Sequence, residues 1–248
     1  MTTPRLQLDR VAKRYGTLAA VEELSLALAV GESVALLGPS GCGKSTLLAM
    51  AAGLLAPDTG RVLLDGEALA APGKLGFMPQ RDLLLPWRRL IDNVTLGLQL
   101  QGVARTAAHD RARELLPLFG LEGFEDAWPA QLSGGMRQRA ALLRTVLAGH
   151  DTLLLDEPFG ALDALTRLSL QDWLAAMGER FHWTLLTVTH SPEEAVYLAD
   201  RVLLLSPRPA RTAAVIDIAL PRPRLPAMRA DPAFGRQVSR VLEALGLA

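Results

Sequence analysis

Nine consecutive residues could hold a polyphosphate. Gly38-Pro39-Ser40-Gly41-Cys42-Gly43-Lys44-Ser45-Thr46 follows the pattern G-x-x-x-x-G-K-S/T. Glycines let backbone N–H groups turn inward and approach phosphate oxygens closely. A helix starting after the loop adds free N–H groups and a partial positive charge. Lys44 can then reach the outer phosphates, and the Ser45 hydroxyl is placed to ligate a magnesium ion. The chain holds 23 Arg and 3 Lys, yet keeps lysine here, where a compact ammonium serves better than a planar fork. Cys42 is the single cysteine. It excludes an intramolecular disulfide, suits a reducing compartment, and reads as a small filler within the loop. Alkylating it is expected to block nucleotide binding, with nucleotide protecting the thiol.

Two acids end a later apolar run, Leu153-Leu154-Leu155-Asp156-Glu157. A strand in a parallel sheet delivers such residues to the sheet's C-terminal edge, where nucleotide sites form. Asp156 would be a second anchor for magnesium, and Glu157 would polarise an attacking water as general base. Alone, the pair reads equally well as a solvated strand end; the glycine loop upstream favours chemistry. A third candidate is Leu132-Ser133-Gly134-Gly135 ahead of a helical stretch. A hydroxyl, free N–H groups and a helix dipole make another anion site.

The elements that must position these residues follow from apolar patterning. A compact run at 33–37 precedes the glycine loop and a helical pattern at 44–52 follows it, the strand–loop–helix context the motif needs. Other strand-like runs are 61–64, 75–78, 152–155, 184–189 and 202–205, after alternating segments near 6–11 and 21–30. Helix-spaced apolar residues fill 91–100, 107–119 and 135–148. The expected fold is α/β: a P-loop NTPase (RecA-like) core with a mostly parallel sheet, an N-terminal antiparallel β region and an inserted α-helical subdomain at about 87–147. The ATPase domain is expected to span 1–206, and 207–248 to be a short C-terminal tail. Equal numbers of basic and acidic residues argue against nucleic acid as partner. Residues 1–9 lack the apolar core of a signal peptide, and the apolar stretch 47–56 falls short of the roughly 20 residues that span a bilayer. Any membrane role must run through a partner.

A glycine loop with an acidic strand end is shared by kinases, GTPases and motors. Leu132-Ser133-Gly134-Gly135-Met136-Arg137-Gln138-Arg139 discriminates among them: it resembles the signature of ABC ATPases, LSGG followed by a helix. Other positions match that family in order. Gln80 resembles its Q-loop glutamine, a magnesium and water sensor; Ala161-Leu162-Asp163 resembles the D-loop; His190 matches the switch histidine; Tyr15 sits where an aromatic stacks on adenine. The resemblance implies a site split between two subunits. The P-loop, Asp156, Glu157 and His190 come from one, and Leu132, Ser133, Gly134, Gly135 and Gln138 act on the ATP of the other. It thus implies ATP and Mg²⁺ as ligands and a head-to-tail homodimer, or a pair with a related cassette.

Gln80-Arg81-Asp82-Leu83-Leu84-Leu85-Pro86-Trp87-Arg88, then Asn93-Val94, is similar to the importer branch serving nitrate, sulfonates, taurine and thiamine-precursor pyrimidines; Arg81 stands where an acidic residue is more usual. Pro158-Phe159-Gly160-Ala161-Leu162-Asp163-Ala164-Leu165-Thr166-Arg167 points the same way. That branch implies an integral-membrane permease, indirectly a periplasmic or extracellular solute-binding protein, and a peripheral place on the cytoplasmic face of the inner (plasma) membrane. Leu83, Leu84, Leu85 and Trp87 could line the groove receiving a permease helix or be core. Two other readings stay open: a non-transport ABC ATPase acting as a regulatory or mechanical module, and a P-loop small-molecule kinase.

Overall fold

The computed structural model describes residues 3–69 and 71–247. Met1, Thr2, Ala70 and Ala248, which the expected domain boundaries include, lie outside the described residues.

An antiparallel sheet of order β2-β1-β4-β5 opens the chain, built from β1 (Leu6–Tyr15), β2 (Leu18–Leu28), β4 (Thr59–Leu64) and β5 (Glu67–Ala68). The second sheet has the order β10-β9-β3-β8-β7-β6, from β3 (Ser33–Leu37), β6 (Gly76–Met78), β7 (Thr152–Asp156), β8 (Thr184–Val188), β9 (Arg201–Leu205) and β10 (Thr212–Asp217). Its strands are parallel except β10, which runs antiparallel to β9.

Strands β3, β7 and β8 are buried at every position, the reason they read as unbroken apolar runs rather than alternations. Alternate side chains feed two cores. Ala35, Leu37, Leu153 and Leu155 pack with the helical region, while Val34, Leu36 and Leu154 pack with the antiparallel sheet and α1 (Lys44–Ala51). Between β6 and β7 lie α2 (Leu90–Val94), α3 (Leu96–Leu100), α4 (Arg105–Leu115) and α5 (Gly134–Leu147). The helix expected over 91–100 is divided at Thr95, whose buried hydroxyl donates to the Ile91 carbonyl at 2.7 Å.

Later elements are α6 (Ala164–Phe181), α7 (Pro192–Leu198) and α8 (Pro232–Ala244). The segment after 206 does more than trail from the core, since β10 extends the main sheet and Phe234 and Val241 of α8 enter the helical-side core. Arginines fasten it: Arg222 pairs with Glu179 at 2.9 Å and Asp200 at 2.8 Å, and Arg229 pairs with Asp172 at 2.6 Å. Only Ile216 of β10 is buried, so the strand lacks the alternation that would mark it in sequence.

Candidate active site

Leaving β3 at Leu37, the chain turns through the glycine loop and enters α1 at Lys44. Gly43 has φ 126°, and a Cβ there would stand 2.6 Å from the Ala20 carbonyl, so both conformation and space demand glycine. Lys44 is nearly buried, and its ammonium donates to the carbonyls of Gly38 at 2.7 Å and Pro39 at 2.9 Å. Ser40, Gly41, Ser45 and Thr46 line a cavity of about 250 Å³ that Gln80 and Glu157 complete. Tyr15, 51% exposed, stands at its mouth with Leu18.

Cys42 corrects an expectation. Its side chain is 1% exposed and packs in the core beneath the loop, so the thiol is shielded by the fold and needs no nucleotide to protect it. A maleimide reagent is expected to label it at least about 100-fold more slowly than free cysteine, with or without nucleotide, because reaction waits on local opening. Labelling at the free-thiol rate, read by mass spectrometry, would overturn this burial.

Three neighbouring strands deliver the chemical groups to one edge: β6 leads to Gln80, β7 to Asp156 and Glu157, and β8 to His190. Asp156 is buried, and desolvation pushes its carboxyl above the usual range; a bond from the Ser45 hydroxyl opposes the shift, Glu157 adds to it and Lys44 opposes it. A divalent cation beside Ser45 and Asp156 would restore the carboxylate. Among the described residues no three His, Cys, Asp or Glu side chains form a metal cluster. A hard cation here would therefore complete its oxygen shell with phosphate and water, the habit of magnesium. Glu157 has φ 49°, and its N–H donates to the Val188 carbonyl at 2.9 Å. Its Oε2 accepts from Gln80 Nε2 at 3.3 Å and lies 3.6 Å from His190 Nδ1, beyond hydrogen-bond length. A partly buried carboxylate so flanked can take a proton from a water at the cavity edge.

Ser133 caps α5, accepting from the Met136 N–H at 3.2 Å. It is exposed, as is Gly134, and neither they nor Gly135 are among the described residues lining the cavity. Leu132 is core, and buried Gln138 donates to the Glu157 carbonyl of its own chain at 3.2 Å. The helical period explains this: position 138 lies on the inward face of α5, and the exposed tip is left to Ser133 and its glycines. Asp163 caps α6; bonds from Thr166 hold its exposed carboxyl below the usual range.

A family model described as ABC transporter matches residues 21–160. The chain belongs to the ABC transporter family. An ATP-binding protein of Brucella abortus (strain 2308) is 43% identical over 243 residues, covering 98% of this chain and 94% of its own length. Taurine import ATP-binding proteins of Burkholderia pseudomallei (strain 1710b) and Pseudomonas aeruginosa are 49% and 44% identical, covering 82% and 91% of this chain and 78% and 88% of their own. A dimeric bacterial ABC transporter cassette superposes with TM-score 0.79 at 29% identity, covering 87% of this chain and 99% of that one. Its post-hydrolysis state, with ADP and phosphate bound, superposes with TM-score 0.78 at 28% identity over the same shares. This chain is an ABC ATP-binding subunit.

The cassette also uses residues that motif reading missed. Arg137 donates to the Asp82 carboxylate at 3.1 Å, and Arg144 donates to the carbonyls of Asp82 at 2.7 Å and Leu83 at 2.8 Å. The signature helix α5 thus grips the segment after Gln80. Their spacing of seven, on one helix face, was the available signal, but the partner was not. The apolar segment between them and α2 divides: Leu84 is core, whereas Leu83 and Trp87 are 55% and 69% exposed. Glu194 of α7, pushed up to about 7 by burial, accepts from Gln171 of α6 at 3.3 Å, bracing the helix that follows His190; no sequence signal marked it. Arg208, from the segment after 206, lines the same cavity as Lys44 and Glu157.

Proposed function

We propose that two copies of this ABC cassette, or one with a related cassette, close head to tail on two ATP molecules, hydrolyse them, and thereby power import of a small solute through a separate permease. The observation that carries this reading is the separation within one chain of two anion sites, the loop at Lys44 and the tip at Ser133. In this reading both hold phosphate, and the second, lying off the cavity, serves the nucleotide of the partner.

In this reading the P-loop from Gly38 to Thr46 cradles the phosphates and Tyr15 stacks on the adenine. Ser45 and Asp156, with Gln80 nearby, would hold Mg²⁺, which would supply charge neutralisation on the phosphates. Glu157 accepts the proton of the attacking water; Gln80 and His190 hold that water, and His190 also meets the γ-phosphate. Ser133, Gly134 and Gly135 of the partner close the pocket, beside the D-loop Asp163. Hydrolysis splits off the γ-phosphate, and its release removes the charge both faces bind, so the pair opens.

Exposed Trp87 and Leu83, the latter held through its carbonyl by Arg144 of α5, offer a surface for a permease helix. No helix among the described residues is long and apolar enough to cross a membrane, consistent with peripheral attachment through that permease at the cytoplasmic face. Within the nitrate, sulfonate, taurine or thiamine-precursor class, the relatives named for taurine import favour a taurine-like sulfonate; in this reading a binding protein delivers it.

Co-purification of the permease, then reconstitution with its binding protein in liposomes, tests this. Taurine or an alkanesulfonate is expected to raise ATP hydrolysis several-fold. A cassette that captures no membrane protein, and whose hydrolysis no solute changes, would leave the non-transport reading in its place.

A further inference from the structure

We propose that Arg208 is a nucleotide-positioning residue, through which the loop after β9 holds the phosphate loop in its receptive shape. The inference rests on the ATP-binding reading of the cavity. Arg208 Nε donates to the Gly41 carbonyl at 2.9 Å, and Nη2 donates to the same oxygen. The side chain is exposed and lines the cavity together with Tyr15 and Lys44.

The base from which it reaches is fixed. The Ser206 N–H donates to the Arg211 carbonyl and the Arg211 N–H to Ser206 Oγ, both at 3.0 Å, closing the loop on itself. The Ala210 N–H donates to the Ala20 carbonyl at 2.9 Å, and the Glu22 N–H to the Ala210 carbonyl at 3.0 Å, tying the loop to β2. Ala20 is itself part of the cavity wall.

A phosphate loop works only while its N–H groups point inward and its carbonyls outward. Glycine at φ 73° leaves the peptide between Gly41 and Cys42 unusually free to rotate. Because a trans peptide is planar, holding its oxygen on Arg208 fixes the direction of its N–H, and the Cys42 N–H closes a turn on the Pro39 carbonyl at 3.3 Å, so Arg208 and this turn together set the curvature of the loop. Among the described residues the hydrogen bonds of Arg208 go to Gly41 alone, so its charge also remains available to the cavity.

Arg208→Gln and Arg208→Lys, made in the full chain, test the role by ATP calorimetry and steady-state hydrolysis. Arg208→Gln is expected to raise Kd and KM for ATP about 10-fold, the scale of a lost charged hydrogen bond, with kcat within about twofold. The nucleotide-free melting temperature should stay within about 2 °C, because the side chain is exposed. Arg208→Lys, which keeps the charge and one bond, should fall between wild type and Arg208→Gln. Wild-type affinity in Arg208→Gln would overturn the proposal. So would a loss that tracks a fallen melting temperature and is not relieved by lysine. Failure of the wild-type chain to bind ATP would instead sink the reading of the cavity beneath it.

Discussion

Glu157→Gln is expected to bind ATP with near wild-type affinity, to hydrolyse it about 10²–10⁴-fold more slowly, and to accumulate as a dimer. The substitution keeps the shape of the side chain and an oxygen to accept from Gln80 Nε2, now 3.3 Å from the carboxylate. It removes only the ability to take a proton. Lys44, the glycine loop, Ser45 and Asp156 are untouched, so the triphosphate still binds. Because the proposed pair is held by the charge of unhydrolysed ATP, stopping the reaction shifts the population towards the closed state. Single-turnover hydrolysis alongside light scattering reads both effects. A monomeric, fully active variant would remove the base from Glu157.

Ser133→Arg carries the second large effect. Hydrolysis should fall at least about 100-fold, the scale of losing a preorganised anion donor, and the cation adds to the positive end of α5 a bulk no nucleotide can share. ATP affinity of the isolated chain should change by less than about threefold, since Ser133 does not line the cavity that holds Lys44. The two measurements together are the test. A parallel loss of binding and hydrolysis would mean that Ser133 serves its own chain's nucleotide, and the head-to-tail arrangement would go with it.

These expectations grow from motifs that could be recognised in the sequence because each is contiguous. The glycine loop needs a strand before it, a helix after it and glycine at strained positions, and all are encoded within 33–52. The same is true of the Ser133 cap and of the apolar strand ending in Asp156 and Glu157. The two-sheet α/β architecture was also legible, since β3, β7 and β8, buried on both faces, carry adjacent apolar residues where a half-exposed strand would alternate.

What tertiary structure alone decided is which distant groups meet. Gln80 and Glu157 are 77 positions apart, and Arg208 and Gly41 are 167 apart. No local pattern of spacing ties such pairs; the order of strands in the sheet does. The same holds for burial within a motif. Cys42 follows exposed Ser40 and Gly41 yet sinks into the core, Gln138 turns inward from α5 to bind the Glu157 carbonyl, and Leu84 and Trp87 part in opposite directions three residues apart. Local backbone chemistry is written in consecutive residues, whereas the side of an element that faces the core depends on what the rest of the chain places against it.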